Sequence, residues 1–408
     1  MPGSAPQNVL DHRFERLFGI NRFFRWGAGR RVTRLRMAAI KNRALERGLM
    51  YSLREDLRRL SVLRQVLAGR FGENPASVAG AGRNPAVLAL RIALSGHSCR
   101  EYLGYASVVD RPLLYISRAD LKGRIYRMVR PARRDDQPLT QKSRFSRRLA
   151  ELGLPHPEFY GEVDATDPGG FRLPKRSILA KPIGGRGGSG IQIFHHDTTS
   201  GSFLLNDATR TSVSEEELFR ILGSQKAGKR YVIQELLSAH PDLAGFSTGA
   251  LPTARVLTGV DVHGEFTVLA AAFRMATRAD VGVDNFHKGG LATAVDIPTG
   301  TLGSAISLKS PERLTHHPLS GARIEGFVLP DWGTVVTLAL EAHRAFDKHR
   351  FVGWDIGITD RGPVIVEGNA QPDPDIHQRA EGRPLGLGAL PTIALSWLDA
   401  KGAGAPGE

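Results

Sequence analysis

Hydrophobic and polar positions along this chain change their period from helical to strand-like. In the amino-terminal third, Leu45, Leu49, Leu53, Leu57, Leu60, Leu63 and Leu67 recur at three- and four-residue steps, which puts them on one helical face. Ser52 and Glu55 form a capping box after a stop at Gly48, so residues 10–70 are expected to make two or three helices. From about residue 140 short β-type runs alternate with helical text. Ser177 to Pro182 reads as a strand, Gly184 to Gly190 as a glycine-rich loop, and Ile191 to Phe194 as the returning strand. Ser214 to Glu217 opens a helix that Gly223 ends, and Asp331 to His349 supplies a longer one. Near the carboxyl end, two apolar β-type segments flank Asp360-Arg361-Gly362, which suits a three-residue hairpin loop with Gly362 in the left-handed position.

The hairpin carries candidate chemistry. If Thr359 pairs with Pro363, counting back along both strands sets Asp355 opposite Glu367. Like charges opposed across a ladder repel, so a cation between them is a natural compensation. Asn369 points to the same face and adds a neutral oxygen. Such a donor set suits Mg²⁺ shared with substrate phosphates better than Zn²⁺. Read alone, the hairpin is equally a surface element with solvated acids. The glycine loop lacks the following helix that a Walker loop or a dinucleotide fingerprint requires. Its glycines still allow backbone N–H groups to face phosphate oxygens, with Lys181 at the strand end as a point charge.

Several motifs then agree in order. Gln141-Lys142 through Gly153-Leu154-Pro155-His156-Pro157, Ala180-Lys181-Pro182 with the glycine loop, Tyr231 to Leu237, Thr253-Ala254-Arg255-Val256, Phe273-Arg274, Asp284 to Gly290 and the hairpin together resemble the ATP-grasp superfamily. They are most similar to its sugar-transfer-associated group, related to glutamate-adding ligases, over roughly Thr140 to Trp397. The resemblance implies an α+β fold in which two lobes clasp the nucleotide, preceded by a basic helical amino-terminal domain. The divisions would be 1–125, 135–235, 236–400 and a disordered tail 401–408.

The resemblance also implies roles. Lys142 and Lys181 would hold the α and β phosphates of ATP, and Gly185, Gly187, Gly188, Ser189 and Gly190 would form the lid. Gln234, Glu235, Leu236 and Leu237 would make the adenine-binding connection. Arg255 or Arg274 would stabilise the transferring group, and Asn285, His287 and Lys288 would lie beside the triphosphate and acceptor. Asp355, Glu367 and Asn369 would bind one or two Mg²⁺, with Mn²⁺ as a substitute. The implied activity is an ATP-dependent carboxylate–amine ligase working through an acyl phosphate on small-molecule or glycan-linked acids and amines. A kinase acting on a sugar or polyol hydroxyl and a non-catalytic binding or scaffold protein are the alternatives. Pro252 stands where relatives carry an asparagine, which puts an acceptor contact there in doubt, and Asp242 in the Ser238–Ala250 insert is a candidate for the ribose.

Composition and charge refine this picture. The 408 residues suffice for two or three domain-sized units. The single cysteine, Cys99, excludes an internal disulfide and a cysteine zinc cluster. No apolar run approaches the ~20 residues of a membrane-spanning helix, and arginines interrupt any secretory signal. ATP use together with these features implies a cytoplasmic protein. Residues 1–150 hold 31 basic against 11 acidic residues, a balance of +20, whereas the remainder carries −6 of the total +14. Arg30, Arg31, Arg34 and Arg36 and the cluster Arg124 to Arg134 belong to this region. A solvated face, peripheral contact with an anionic membrane, and an acidic-substrate port are the readings weighed. Nucleic acid is not favoured, because no recognition motif accompanies the charge.

Overall fold

The computed structural model describes residues 31–35, 114–118, 121–129, 139, 141–184, 190–206, 209–225, 230–247, 250–277, 289–307 and 312–402. Two six-stranded antiparallel sheets divide the chain. The first lobe contains α2 (Lys142–Glu151), β1 (Phe159–Asp164), β2 (Ile178–Pro182), β3 (Gln192–His196), β4 (Phe203–Leu205), β5 (Ser212–Val213), α3 (Glu215–Ser224) and β6 (Arg230–Glu235), with strand order β1-β6-β2-β3-β4-β5. The second lobe contains β7 (Thr253–Val260), β8 (Phe266–Met275), β9 (Leu291–Ala294), β10 (Ile306–Ser307), α4 (Trp332–Ala345), β11 (Phe351–Thr359), β12 (Gly362–Asn369), α5 (Asp375–Glu381) and α6 (Leu390–Gly402). Its strand order is β10-β9-β8-β7-β11-β12. Ahead of both lobes stand a π-helical turn, Leu121–Ile125, and α1 (Tyr126–Val129).

Local sequence explains the helix boundaries. Ser214 accepts a hydrogen bond from the Glu217 amide at 3.1 Å, capping α3, which runs one residue past Gly223. On α2, Phe145 and Leu149 are buried four residues apart while Arg144, Arg147 and Arg148 stay on the wet side. Gly153, at φ +67°, ends α2: its amide donates to Ala150 O and the Leu154 amide to Leu149 O, both at 3.0 Å. The helix expected over Asp331 to His349 spans Trp332–Ala345. Helix α6 continues to Gly402, two residues into the expected tail, and residues 403–408 lie outside the described residues.

The two faces of the second sheet are covered differently. On one face α4 packs over Ala254, Val256, Phe273, Trp354, Ile356 and Ile365. Trp332 and Trp354 are core aromatics there, at 5% and 0% exposure. The other face carries Leu257, Ala270 and Phe351, which join Leu35, Ile116, Leu121, Ile125, Tyr126 and Val129 with Leu390 and Ile393 of α6 in one apolar cluster. The amino-terminal segment therefore completes a layer of the second lobe, and the expected division at residue 125 falls inside the continuous helical stretch 121–129. The leucine face between Leu45 and Leu67, Cys99 and the cluster Arg130 to Arg134 lie outside the described residues, as do the side chains of Arg124 and Arg127. Among the described residues no helix is long and apolar enough to cross a membrane.

Candidate active site

Strand register builds the site. Arg255 on β7 pairs with Asp355 on β11, which pairs with Glu367 on β12, so these residues form one row across three strands. Thr253, two residues before Arg255, pairs with Arg274 on β8 and shares the row's face. The expected Asp355–Glu367 pairing is present, by a different count. Thr359 pairs with Gly362 and not with Pro363, and a bulge after Asp355 leaves Val366 unpaired and restores the register. Gly353 pairs with Asn369 one row away, and a Cβ there would lie 2.7 Å from Pro372.

Asp355 is not the solvated acid of the surface-hairpin alternative. It is 3% exposed, and its oxygens accept from Arg255 Nε, from Arg255 Nη2 at 2.7 Å and from Arg274 Nη2 at 3.2 Å. Arg274 also donates to Thr253 Oγ1 through Nε at 3.1 Å and Nη2 at 2.6 Å. Burial pushes the Asp355 carboxyl up, but the two guanidiniums outweigh it and leave its pKa below the ordinary 3.8. Compensation of Asp355 thus comes first from neighbouring strands.

Two lysines from the first lobe face this row. Lys142 at the start of α2 donates to Pro182 O at 2.8 Å. Burial lowers its pKa, and the Glu367 carboxylate opposes that. Burial likewise lowers Lys181 on β2, with Glu367 and Asp355 raising it and Lys142 lowering it further. Lys142, Lys181, Asp355 and Glu367 are therefore electrostatic neighbours across the two lobes. Two partly or fully buried ammonium groups at reduced pKa favour a polyanion as partner.

Oxygen donors for a metal are Asp355, the exposed Glu367 and Asn369, whose Nδ2 donates to Gly353 O at 3.4 Å and whose Oδ1 remains an acceptor. Among the described residues no group of three or more His, Cys, Asp and Glu converges. A hard dication here would draw on two carboxylates, an amide and the nucleotide's own phosphates, which fits magnesium's habit.

The remaining predicted residues fall as follows. Gly185, Gly187, Gly188 and Ser189 of the lid, and Asn285, His287 and Lys288, lie outside the described residues. Gly190, at φ +74°, is the turn that starts the return toward β3. Gln234 is buried on β6, and the Leu236 amide donates to Ser177 O at 3.3 Å. Glu235 turns to the hairpin tip, where it accepts from Arg361 Nη1 at 2.8 Å and Nη2 at 2.5 Å and from the Glu158 amide at 3.1 Å. The lobe connection is also stitched to the hairpin by His240 N to Ile358 O at 2.9 Å. Asp242 is exposed and 3.7 Å from its neighbour His240. Arg361 was legible only as a loop residue, because its partner lies 126 positions away. An open groove of about 800 Å³ beside α2 is lined by Arg147, His156 and Arg361 among others, and none of Lys142, Lys181, Arg255 or Asp355 borders it.

Two antiparallel lobes that bring lysines of one against the arginine- and acid-bearing strands of the other form the ATP-grasp fold. The sugar-transfer associated ATP-grasp family matches residues 126–388, and this chain belongs to that family. No curated protein matches the sequence. Similar solved structures include D-alanine–D-alanine ligase from Bacillus anthracis complexed with ATP, at 12% identity, TM-score 0.37, over 66% of this chain and 69% of that one. An L-amino acid ligase from Bacillus licheniformis is 14% identical over 57% of this chain and 41% of its own, with TM-score 0.33. N5-carboxyaminoimidazole ribonucleotide synthetase from Thermotoga maritima is 13% identical over 60% of this chain and 50% of its own, with TM-score 0.30. This chain thus spans from about two fifths to about two thirds of the length of these structures.

Proposed function

We propose that this protein is an ATP-dependent carboxylate–amine ligase. The observation that carries the reading is the convergence of Lys142 and Lys181 on the Arg255–Asp355–Glu367 row, which sets cations of both lobes around one acidic strand pair. A substrate carboxylate oxygen attacks the γ-phosphorus of ATP, and ADP leaves. The amine nitrogen then attacks the acyl carbon, phosphate leaves and the nitrogen releases a proton, giving an amide. Lys142 and Lys181 hold the phosphate oxygens in place, so that positioning and charge stabilisation supply the rate. Arg255 and Arg274 stabilise negative charge on the transferring phosphoryl group and on the acyl phosphate. A magnesium ion on Asp355, Glu367 and Asn369 would neutralise charge between phosphate oxygens.

The test is ADP release by the full chain with ATP, magnesium and hydroxylamine over a panel of mono- and dicarboxylic acids. Acid-dependent ADP release with hydroxamate formation is the expected result. ADP release that yields a phosphorylated sugar or polyol and no hydroxamate would overturn the ligase in favour of a kinase. Glu367→Ala should abolish magnesium-dependent ATP turnover. Its melting temperature should hold, because Glu367 is exposed.

A further inference from the structure

The Arg255 and Arg274 guanidiniums have a neighbour that the chemistry above does not use. His377 on α5 is 2% exposed, and neither of its ring nitrogens has a hydrogen-bond partner. A buried polar group without a partner calls for a reason, since leaving it so is costly. The charged groups around the ring are Arg255, Asp373, Asp355 and Arg274. Helix α5 rests on β8 and β9 through Ile376 and Ala380, which pack on Ala272 and Ala292. The ring therefore belongs to the same buried charged cluster as the guanidinium pair. Burial first, and then Arg255, hold the imidazole's pKa down to about 3, so it is neutral and offers one donor and one acceptor.

The outer side of this cluster comes from the amino-terminal third. Arg118 Nε lies 2.7 Å from Asp373 Oδ2, and Lys122 Nζ lies 3.4 Å from the same oxygen. Tyr126 OH donates to Pro372 O at 2.9 Å. Gln378, beside His377, is locked to Ile116: the Ile116 amide donates to Gln378 Oε1 and Gln378 Nε2 donates to Ile116 O, both at 2.9 Å. The stretch that carries His377 is thus held by residues between Ile116 and Tyr126, among which Arg118 and Lys122 put two cations at the edge of the cluster.

We propose, resting on the ligase reading, that His377 is a substrate-binding residue whose ring hydrogen-bonds the carboxylate seated against Arg255 and Arg274, and that Arg118 and Lys122 at the rim favour acids with a second carboxylate. A neutral imidazole donates to the carboxylate without adding charge, and rim cations reach a group several bonds away. The substrate class is a dicarboxylic acid, and its selection depends on the amino-terminal segment.

The experiment is calorimetric titration of the full chain, saturated with ADP, with acetate, succinate and inorganic phosphate as probes. Succinate should bind at least ten times more tightly than acetate, and more tightly than phosphate. His377→Leu should weaken succinate at least tenfold, keep ADP affinity within twofold and melt no lower than the parent. His377→Asn, which keeps an amide donor, should recover part of the loss, and Lys122→Ala should erase the preference for succinate over acetate. Succinate binding unchanged in His377→Leu, or no succinate binding by the parent, would overturn the proposal, and tighter binding of phosphate would overturn the carboxylate assignment. Titration needs no turnover, so absence of hydroxamate with every acid would remove the ligase reading while leaving these binding results to stand or fall separately.

Discussion

At the scale of single residues, Asp355 is the group on which the second lobe's polar face turns. Removing its carboxylate by Asp355→Ala would leave Arg255 and Arg274, at 13% and 12% side-chain exposure, without their shared anion. Breaking a buried pair in this way costs about 3–5 kcal/mol, so the variant should unfold at clearly lower urea concentration. The pH dependence has a definite sign. Asp355 has a folded pKa below its ordinary 3.8, so its contribution is fully present above about pH 4 and is lost as pH falls through the folded value. Asp355→Asn should therefore start less stable and lose less between pH 4 and pH 2 than the parent does, as read by denaturant midpoints across that range. A parent and variant with parallel acid profiles would show that the guanidiniums do not depress this carboxyl.

At the scale of elements, the hairpin β11–β12 is tied at both ends. Gly368 sits where a Cβ would lie 2.6 Å from Leu139 and 2.9 Å from Trp354, so a methyl group must displace packed side chains. Gly368→Ala should cost about 1–3 kcal/mol by overpacking, seen as a lower melting temperature. At the other end Arg361 forms its paired contact with Glu235 at 50% exposure, so the bond contributes at most about 1 kcal/mol to stability. Its expected importance is geometric, because it fixes the lobe connection against the hairpin tip. Arg361→Ala should keep its melting temperature near the parent's while weakening ADP binding several-fold in calorimetry. Unchanged ADP affinity would separate the tip from the nucleotide site. How much of this was legible is clear from the same hairpin. Alternating apolar residues around Asp360-Arg361-Gly362 gave the turn, and counting gave the Asp355–Glu367 pair. The bulge at Val366 and the partner of Arg361 were not legible, because each depends on a surface that another element supplies.

At the scale of the whole molecule, the described residues between Ile116 and Val129 and the second lobe share a core. Ile116, Leu121, Ile125, Tyr126 and Val129 pack with Leu257, Ala270 and Phe351 of the second sheet and with α6. Gly386 lies so close to Leu114 O and Val32 that a Cβ there would strike the backbone carbonyl. Arg34 reaches Asp399 across the chain ends at 2.5 Å. A chain that begins at residue 136 would expose the apolar side of β7, β8 and α6, at about 25 cal/mol for each Å² uncovered. It should melt several degrees lower than the full chain and aggregate on heating, as light scattering during a thermal ramp would show. A truncated chain that melts like its parent would make the shared layer dispensable.

The sequence by itself determined the strand–glycine loop–strand order around Lys181, the helix start at Ser214, the hairpin turn at Gly362 and the residue types of the candidate site. Each of these rests on a local rule: a period of two or 3.6, a side chain that caps its own helix, a glycine that accepts positive φ. It also determined the family, because several short motifs recur in one order. Only the tertiary structure decided that Asp355 is held by two arginines, that Lys142 and Lys181 come to Glu367, and that residues 114–129 belong to the second lobe. The physical reason is that electrostatic and packing energies depend on distance through space. Partners such as Arg118 and Asp373, or Ile116 and Gln378, are separated by more than 250 positions along the chain, and no pattern of nearby residues records which of many exposed arginines or apolar segments a distant surface will receive.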